Sequence, residues 1–161
     1  MADFEIAVSK TLAHEGGYVN DSDDPGGETR FGISKRSYPN EDIANLTGWR
    51  ARQIYRQDFW VPLYASIASQ GVADKLFDFG VNAGKRTAIE KLQQALNGLR
   101  KGKILIDGVF GPATLAAVNE LFPDMLLAEF RAQIAVHYAQ IAMRRPASAK
   151  YLLGWMRRVM A

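Results

Sequence analysis

The sequence has no cysteine and only two histidines, and these scarcities exclude several kinds of chemistry. Without cysteine there is no disulfide framework, thiol nucleophile or thiolate metal site, and zinc chemistry with only His14 and His137 as imidazoles is improbable. No apolar run approaches the roughly 20 residues that a membrane-spanning helix needs. The first ten residues carry no basic segment followed by an apolar one, so we expect a chain made in the cytoplasm without a signal peptide.

The composition that remains is that of one ordinary globular domain of 161 residues with a small excess of basic side chains. The formal net charge is +3, but the basic residues are scattered and the densest patches are pairs such as Arg157–Arg158. We interpret these pairs as a solvated basic face rather than a nucleic-acid surface. The charge suits an anionic partner.

Apolar spacing predicts helices along most of the chain. Phe4, Val8 and Leu12 form one helical stripe, and the glycines at 16 and 17 are stop signals that place Glu15 in the last turn. Thr47 is a plausible cap for a helix ending near Trp60. Later stripes predict helices around 72–77, 88–99, 112 onward, 125–144 and 152–159, with Pro112 at a helix start, Pro146 after a helix end and Trp155 in the core.

The stretch from 18 to 33 interrupts this pattern with Asn, Asp, Pro and Gly, and it predicts a loop or a small hairpin turning around Pro25. The fold class we predict is therefore mainly α, a single compact domain with one acidic, glycine-rich excursion and a helical C-terminal half. Long irregular excursions of this kind usually carry function.

Glu15 is the candidate catalytic acid. Because a helix C-terminus carries a partial negative charge, an ionised carboxylate there is disfavoured, and we expect the pKa of Glu15 to be raised. A general acid in glycoside cleavage has to stay protonated, and a second carboxylate acts on the far side of the sugar. Candidates for that second group are Asp21, Asp23, Asp24 and Glu28. A calcium loop beginning at Asp21 fails because Pro25 and Gly32 occupy ligand positions.

The spacing of Glu15, Asp24 and Thr29 resembles the Glu, Asp, Thr arrangement of phage-type lysozymes, with one residue fewer before the Thr. Under that resemblance Asp24 and Thr29 hold the nucleophilic water. Asp23 or Glu28 remains open as the second carboxylate. An interpretation of Asp24 as only the first residue of a turn is about equally supported.

Four segments together resemble glycoside hydrolase family 108, namely HEGGYVNDSDDPGGETRFGIS, DFGVNAG, DGVFGPATLAAVN and FRAQIAVHYAQIAMRRPASAKYLLGWMRRV. The resemblance implies a lysozyme-like fold with a small hairpin, a catalytic region at 1–98 and a peptidoglycan-binding region at 99–161. It also implies a muramidase or endolysin, of phage or prophage type, with Glu15 as the acid. No cofactor and no metal are expected.

Tyr18 and Phe31 flank the acidic loop, and Asp78 and Asn82 lie at a predicted helix break, so we predict that these four contact the sugar. The expected substrate is bacterial peptidoglycan, cut by a monomer at the β-1,4 bond after N-acetylmuramic acid. Release to the wall would need a holin-like pore or an exporter. Two rival functions remain open, a lytic transglycosylase and a non-catalytic wall-binding or export-associated protein.

Overall fold

The computed structural model describes residues 1–14 and 28–161 of the protein. Three of the predicted site residues, Glu15, Tyr18 and Asp24, lie outside the described residues, as do Asp21, Asp23 and the turn predicted around Pro25. The remaining predicted site residues are all described.

Within the described ranges the chain forms seven α-helices and one two-stranded antiparallel hairpin. The hairpin strands are β1 (Thr29–Arg30) and β2 (Ile33–Ser34), and two short 3-10 segments span Pro62–Ser66 and Pro146–Tyr151. The helices are α1 (Phe4–His14), α2 (Gly48–Phe59), α3 (Gln70–Ala83), α4 (Lys85–Leu99), α5 (Pro112–Glu120), α6 (Pro123–Arg144) and α7 (Leu152–Met160). The mainly α fold class is confirmed. None of these helices is long and apolar enough to cross a membrane.

Local sequence signals account for several helix ends. The Thr47 side chain accepts a hydrogen bond from the backbone N–H of Arg50 at 3.2 Å and caps α2, as predicted. Pro112 is the first residue of α5. Gly84 separates α3 from α4 with a φ of 88°, a conformation that favours glycine.

The described hairpin has a turn that the glycine pattern did not indicate, whereas the turn predicted around Pro25 lies outside the described residues and stays a prediction. Thr29 pairs with Ser34 and Arg30 with Ile33, which leaves Phe31 and Gly32 as the two turn residues. Both have positive φ, 53° and 74°, as a two-residue hairpin turn of the right twist requires. Sequence analysis missed this turn because Phe is an unusual residue at positive φ.

Two core clusters meet on α3. The first packs α3 against α4, α5 and α6, and the second packs α1, α2 and the hairpin against Phe77 of α3. Trp60 lies against both clusters. Because one helix contributes to both cores, the described chain is a single compact domain. Trp155, predicted in the core, is half-buried: it packs against the first cluster and stacks on Tyr138 with ring centroids 4.9 Å apart.

Candidate active site

An open cleft of about 260 Å³ runs along the C-terminal half of α1. Helices α3 and α6 form its other walls, together with Ala161. The chain enters the acidic segment 15–27 directly from this end of α1. The lining residues with hydrogen-bonding or charged side chains are Lys10, Thr11, Asp74, Lys75, Asp78 and Arg131.

An ion pair at the rim of the cleft joins α3 to α7. The Arg158 guanidinium donates from Nη2 to Oδ1 of Asp78 at 2.8 Å and from Nε to both carboxylate oxygens at 3.1 and 3.2 Å. Both side chains are largely withdrawn from water, with 19% and 15% of their surface exposed. The electrostatic attraction within this pair is therefore stronger than that within a surface ion pair, because less water screens the two charges.

The same carboxylate anchors α1. The buried Thr11 hydroxyl donates to Oδ1 of Asp78 at 3.3 Å. The preceding residue, Lys10, forms an ion pair at 2.5 Å with Asp74, which lies one turn before Asp78 in α3, and Gln70 also donates to Asp74. These contacts fix the last turns of α1 against α3, so the point from which residue 15 departs is held by both packing and charge.

Lys75 is a buried cation, with 7% of its surface exposed. Its Nζ donates to the backbone oxygen of Arg158 at 2.8 Å. Burial lowers the pKa of Lys75, and the charge of Asp78 opposes that effect. Lys75 thereby ties α3 to the backbone of Arg158, while Asp78 of the same helix binds the Arg158 side chain.

Arg131 of α6 completes the basic wall. Its Nη2 donates to the backbone oxygen of Ala161 at 3.4 Å, while its Nε is buried and has no hydrogen-bond partner in the described chain. Among the described residues, the cleft is lined by three basic side chains, Lys10, Lys75 and Arg131, and by two carboxylates, Asp74 and Asp78. These described side chains have an excess of positive charge, which suits an anionic ligand.

Both of those carboxylates are held by cations, so neither is placed as a proton donor. Asp74 is paired with Lys10, and Asp78 with Arg158. In the described ranges, no group of three or more His, Asp or Glu side chains could hold a metal ion.

The structure places the predicted substrate contacts Asp78 and Asn82 on one stripe of α3. The helix continues through both residues and ends at Ala83, so the break predicted in the DFGVNAG segment lies at its last residue. The break is at Gly84, because its positive φ ends the helix there. Asn82 is exposed, and its Nδ2 donates to the backbone oxygen of Asp78 at 2.8 Å.

Phe31 and Thr29 both belong to the hairpin. The Phe31 ring packs against the second core cluster, and its backbone oxygen accepts a hydrogen bond from the Tyr55 hydroxyl at 2.7 Å. Thr29 is half-buried in β1 opposite Ser34. Glu28, the alternative second carboxylate, precedes β1, and its backbone oxygen accepts from the N–H of Lys35 at 2.8 Å. The hairpin is thus anchored to α2 through its turn, where Tyr55 binds the Phe31 carbonyl.

The basic residues of the cleft were missed by sequence analysis. The pair Arg157–Arg158 was interpreted as a solvated face, which holds for the exposed Arg157 but is wrong for Arg158. The spacing of the acidic residues in α3 could have indicated these cations. Asp74 and Asp78 stand four residues apart in α3, and two carboxylates on one face of a largely buried helix require cationic partners.

Comparison with known proteins supports the division of the chain into two sequence families. Residues 8–84 match the family described as Glycosyl hydrolase 108, and residues 87–160 match the family described as Predicted Peptidoglycan domain. The prediction that the regions divide at 98/99 stays a prediction. Among curated proteins, no significant match was found.

Among solved structures, the chain is similar to the one titled "Structure of Brucella abortus SagA". The two share 27% sequence identity with a TM-score of 0.77, over 98% of this chain and 89% of that one. The mainly α, lysozyme-like fold is therefore confirmed, and the chain has the makeup of a glycoside hydrolase that acts on peptidoglycan. Its N-terminal half carries a glycosyl hydrolase 108 region, and its C-terminal half carries a peptidoglycan-binding region.

Proposed function

We propose that the protein is an N-acetylmuramidase that hydrolyses the β-1,4 glycan bond of peptidoglycan with Glu15 as general acid. The observation that carries this proposal is the anchored end of α1. This helix ends at His14, and its last turns are fixed on α3 by Thr11 and Lys10. Glu15 is the next residue in the chain, so a carboxyl group follows directly on a helix C-terminus, where its protonated form is favoured.

In the proposed reaction, Glu15 gives its proton to the glycosidic oxygen as the bond from the anomeric carbon to that oxygen breaks. A water molecule then adds its oxygen to the anomeric carbon, and its proton is taken up by a carboxylate. We assign the positioning of this water to Asp24 and Thr29. Asp23 and Glu28 are the alternative carboxylates.

The basic cleft supports a role in substrate binding. Peptidoglycan carries free carboxylates on its stem peptides, and Lys75 and Arg131 give the cleft wall the opposite charge. We further propose sugar contacts from Tyr18, Phe31 and Asn82. Asp78 contributes by holding Thr11 and Arg158.

We also propose that the protein acts on the cell wall as a monomeric endolysin, after synthesis in the cytoplasm and release through a holin-like pore or an exporter. A phage or prophage origin belongs to this proposal. It draws on the family and on the peptidoglycan-binding match.

The test is the Glu15→Gln variant, which keeps the shape of the side chain and removes the transferable proton. We expect clearing of permeabilised cells to slow by at least about 100-fold, the usual scale of general acid catalysis, with little change in melting temperature. Glu120→Gln, which makes the same change at an exposed position of α5 with no part in the proposed reaction, is the matched control. A Glu15→Gln protein with most of its activity would refute the assignment.

Mass spectrometry of the released muropeptides decides the reaction type. A hydrolase leaves reducing ends, whereas a lytic transglycosylase leaves 1,6-anhydro ends because the sugar's own hydroxyl displaces the leaving group. If Asp24 and Thr29 hold water, Asp24→Asn and Thr29→Ala slow turnover without weakening binding to insoluble peptidoglycan. A larger loss from Asp23→Asn or Glu28→Gln would move the second role to that residue.

A further inference from the structure

One face of α2 presents four large polar or aromatic side chains that the proposed reaction does not use. Trp49, Arg52, Gln53 and Arg56 stand at positions i, i+3, i+4 and i+7, so they share one side of the helix. Together with Phe4 and Glu5 of α1 they line a depression of about 280 Å³, which we call the Trp49 face.

Trp49 is the feature of this face that packing does not explain. Its side chain is 69% exposed and lies outside both core clusters. An indole has a flat apolar surface with a negative π-face and a polar N–H at one edge. The axial C–H groups of a pyranose ring carry a slight positive charge, so they stack favourably on such a face while the hydroxyl groups remain hydrated.

The arginines add a fixed positive charge beside the ring. Arg52 and Arg56 share the single carboxylate of Glu5, at 3.3 and 3.2 Å, which leaves one formal positive charge on the three side chains. Arg52 also donates to the Ser9 hydroxyl at 3.1 Å, and the Arg56 guanidinium lies over the Phe4 ring. Both guanidinium groups are thereby held in place, which lowers the entropy cost of binding an anion.

We propose that the Trp49 face is a second binding site for the glycan strand of peptidoglycan, with an aminosugar ring on Trp49 and a substrate carboxylate on Arg52. The substrate class rests on the function proposed above. Glu5 is nine residues before His14 in α1, about 14 Å along the helix axis. A polymer can contact this face and the end of α1 together, whereas a disaccharide is too short, so the site favours long strands.

The experiment measures binding to purified, insoluble peptidoglycan by sedimentation, with Glu15→Gln as the parent so that the substrate stays intact. We expect Trp49→Leu, which keeps apolar bulk but removes the ring, to weaken binding about tenfold. Trp49→Phe retains a ring and is expected to bind within about twofold of the parent. Since Trp49 is exposed, neither change should lower the melting temperature appreciably.

Arg52→Gln is paired with Arg36→Gln, which removes the same charge from another exposed position. We expect Arg52→Gln to weaken binding several-fold and Arg36→Gln to leave it unchanged. The proposal is overturned if Trp49→Leu binds like the parent, or if Trp49→Leu and Trp49→Phe weaken binding equally. It is also overturned if Arg52→Gln and Arg36→Gln weaken binding equally. If the Glu15→Gln parent itself released reducing ends into the supernatant, the role of Glu15 would be refuted. The ratio of binding between Trp49→Leu and Trp49→Phe would still test the Trp49 face.

Discussion

Replacing Arg158 by Leu tests the ion pair that joins the two halves of the chain. Arg158 lies in the region that matches the peptidoglycan domain, and its partner Asp78 lies in the region that matches the glycosyl hydrolase. Leucine keeps apolar bulk on α7 but removes all three hydrogen bonds to the carboxylate. The substitution leaves Asp78 largely buried, with Thr11 still donating to it.

The expected cost follows from that burial. Removing one partner of a fully buried pair costs about 3–5 kcal/mol, and we take about 2–3 kcal/mol here because both side chains keep some exposure. For a domain of this size, that loss lowers the melting temperature by about 5–10 °C. The backbone oxygen of Arg158 that binds Lys75 is retained in the variant, so this contact does not add to the cost.

Thermal and urea unfolding of four proteins measure the effect, namely the wild type, Arg158→Leu, Asp78→Asn and the double variant. Asp78→Asn keeps an oxygen for the Thr11 hydroxyl but removes the charge. If the pair acts as a unit, the double variant loses less stability than the two single variants added together, by about 1–3 kcal/mol. Arg157→Leu is the matched control, because Arg157 is the exposed neighbour on the same helix.

Two results would refute the reasoning. Additive losses in the four proteins would mean that Arg158 and Asp78 do not interact in solution. A loss from Arg157→Leu as large as that from Arg158→Leu would attribute the effect to net charge or helix propensity, since a surface change of this kind costs at most about 0.5 kcal/mol.

Two further predictions concern the C-terminal half. Burial lowers the pKa of His137 in the folded protein, and the charges of Lys91 and Arg144 lower it further. As the pH falls below about 6.5, the unfolded chain therefore binds more protons than the folded one, and the free energy of unfolding declines. Differential scanning calorimetry between about pH 7.5 and about pH 5.5 should show a smaller fall for His137→Gln, and equal falls would contradict the shift. The second prediction is that Gln93→Leu lowers the free energy of unfolding by about 2–4 kcal/mol, because the buried Gln93 amide oxygen accepts hydrogen bonds from the N–H groups of Asp107 and Gly108. Urea unfolding measures the loss, and Gln94→Leu is the control, for which we expect little change. A loss below about 1 kcal/mol from Gln93→Leu would contradict this prediction.

Helix positions were predictable because their signals are local. The Thr47 cap, the proline at the start of α5 and the apolar stripe of α6 each act within a few residues of one another. Such signals survive in any tertiary context that leaves the helix intact. The resemblance to family 108 was visible for the same reason, because each of its motifs, such as HEGGY and DPGGET, is an unbroken run of residues.

The hairpin turn shows where local rules were insufficient. Glycine and proline density directed the prediction to a turn near Pro25, outside the described residues, and the turn at Phe31 and Gly32 was not predicted. Phe31 adopts positive φ in a place where its ring packs against the second core and its carbonyl binds Tyr55. Those contacts offset the local strain, and none of them can be deduced from neighbouring residues.

Sequence alone therefore determined the helical makeup, the family and the candidate acid, because each depends on residues close together in the chain. Tertiary structure alone decided the electrostatics of the cleft. Asp78 and Arg158 are 80 residues apart, and Lys10 and Asp74 are 64 apart. Whether a charged side chain is solvated or buried beside an opposite charge depends on which helices pack together, and that packing turns a scattered basic composition into the basic wall beside α1.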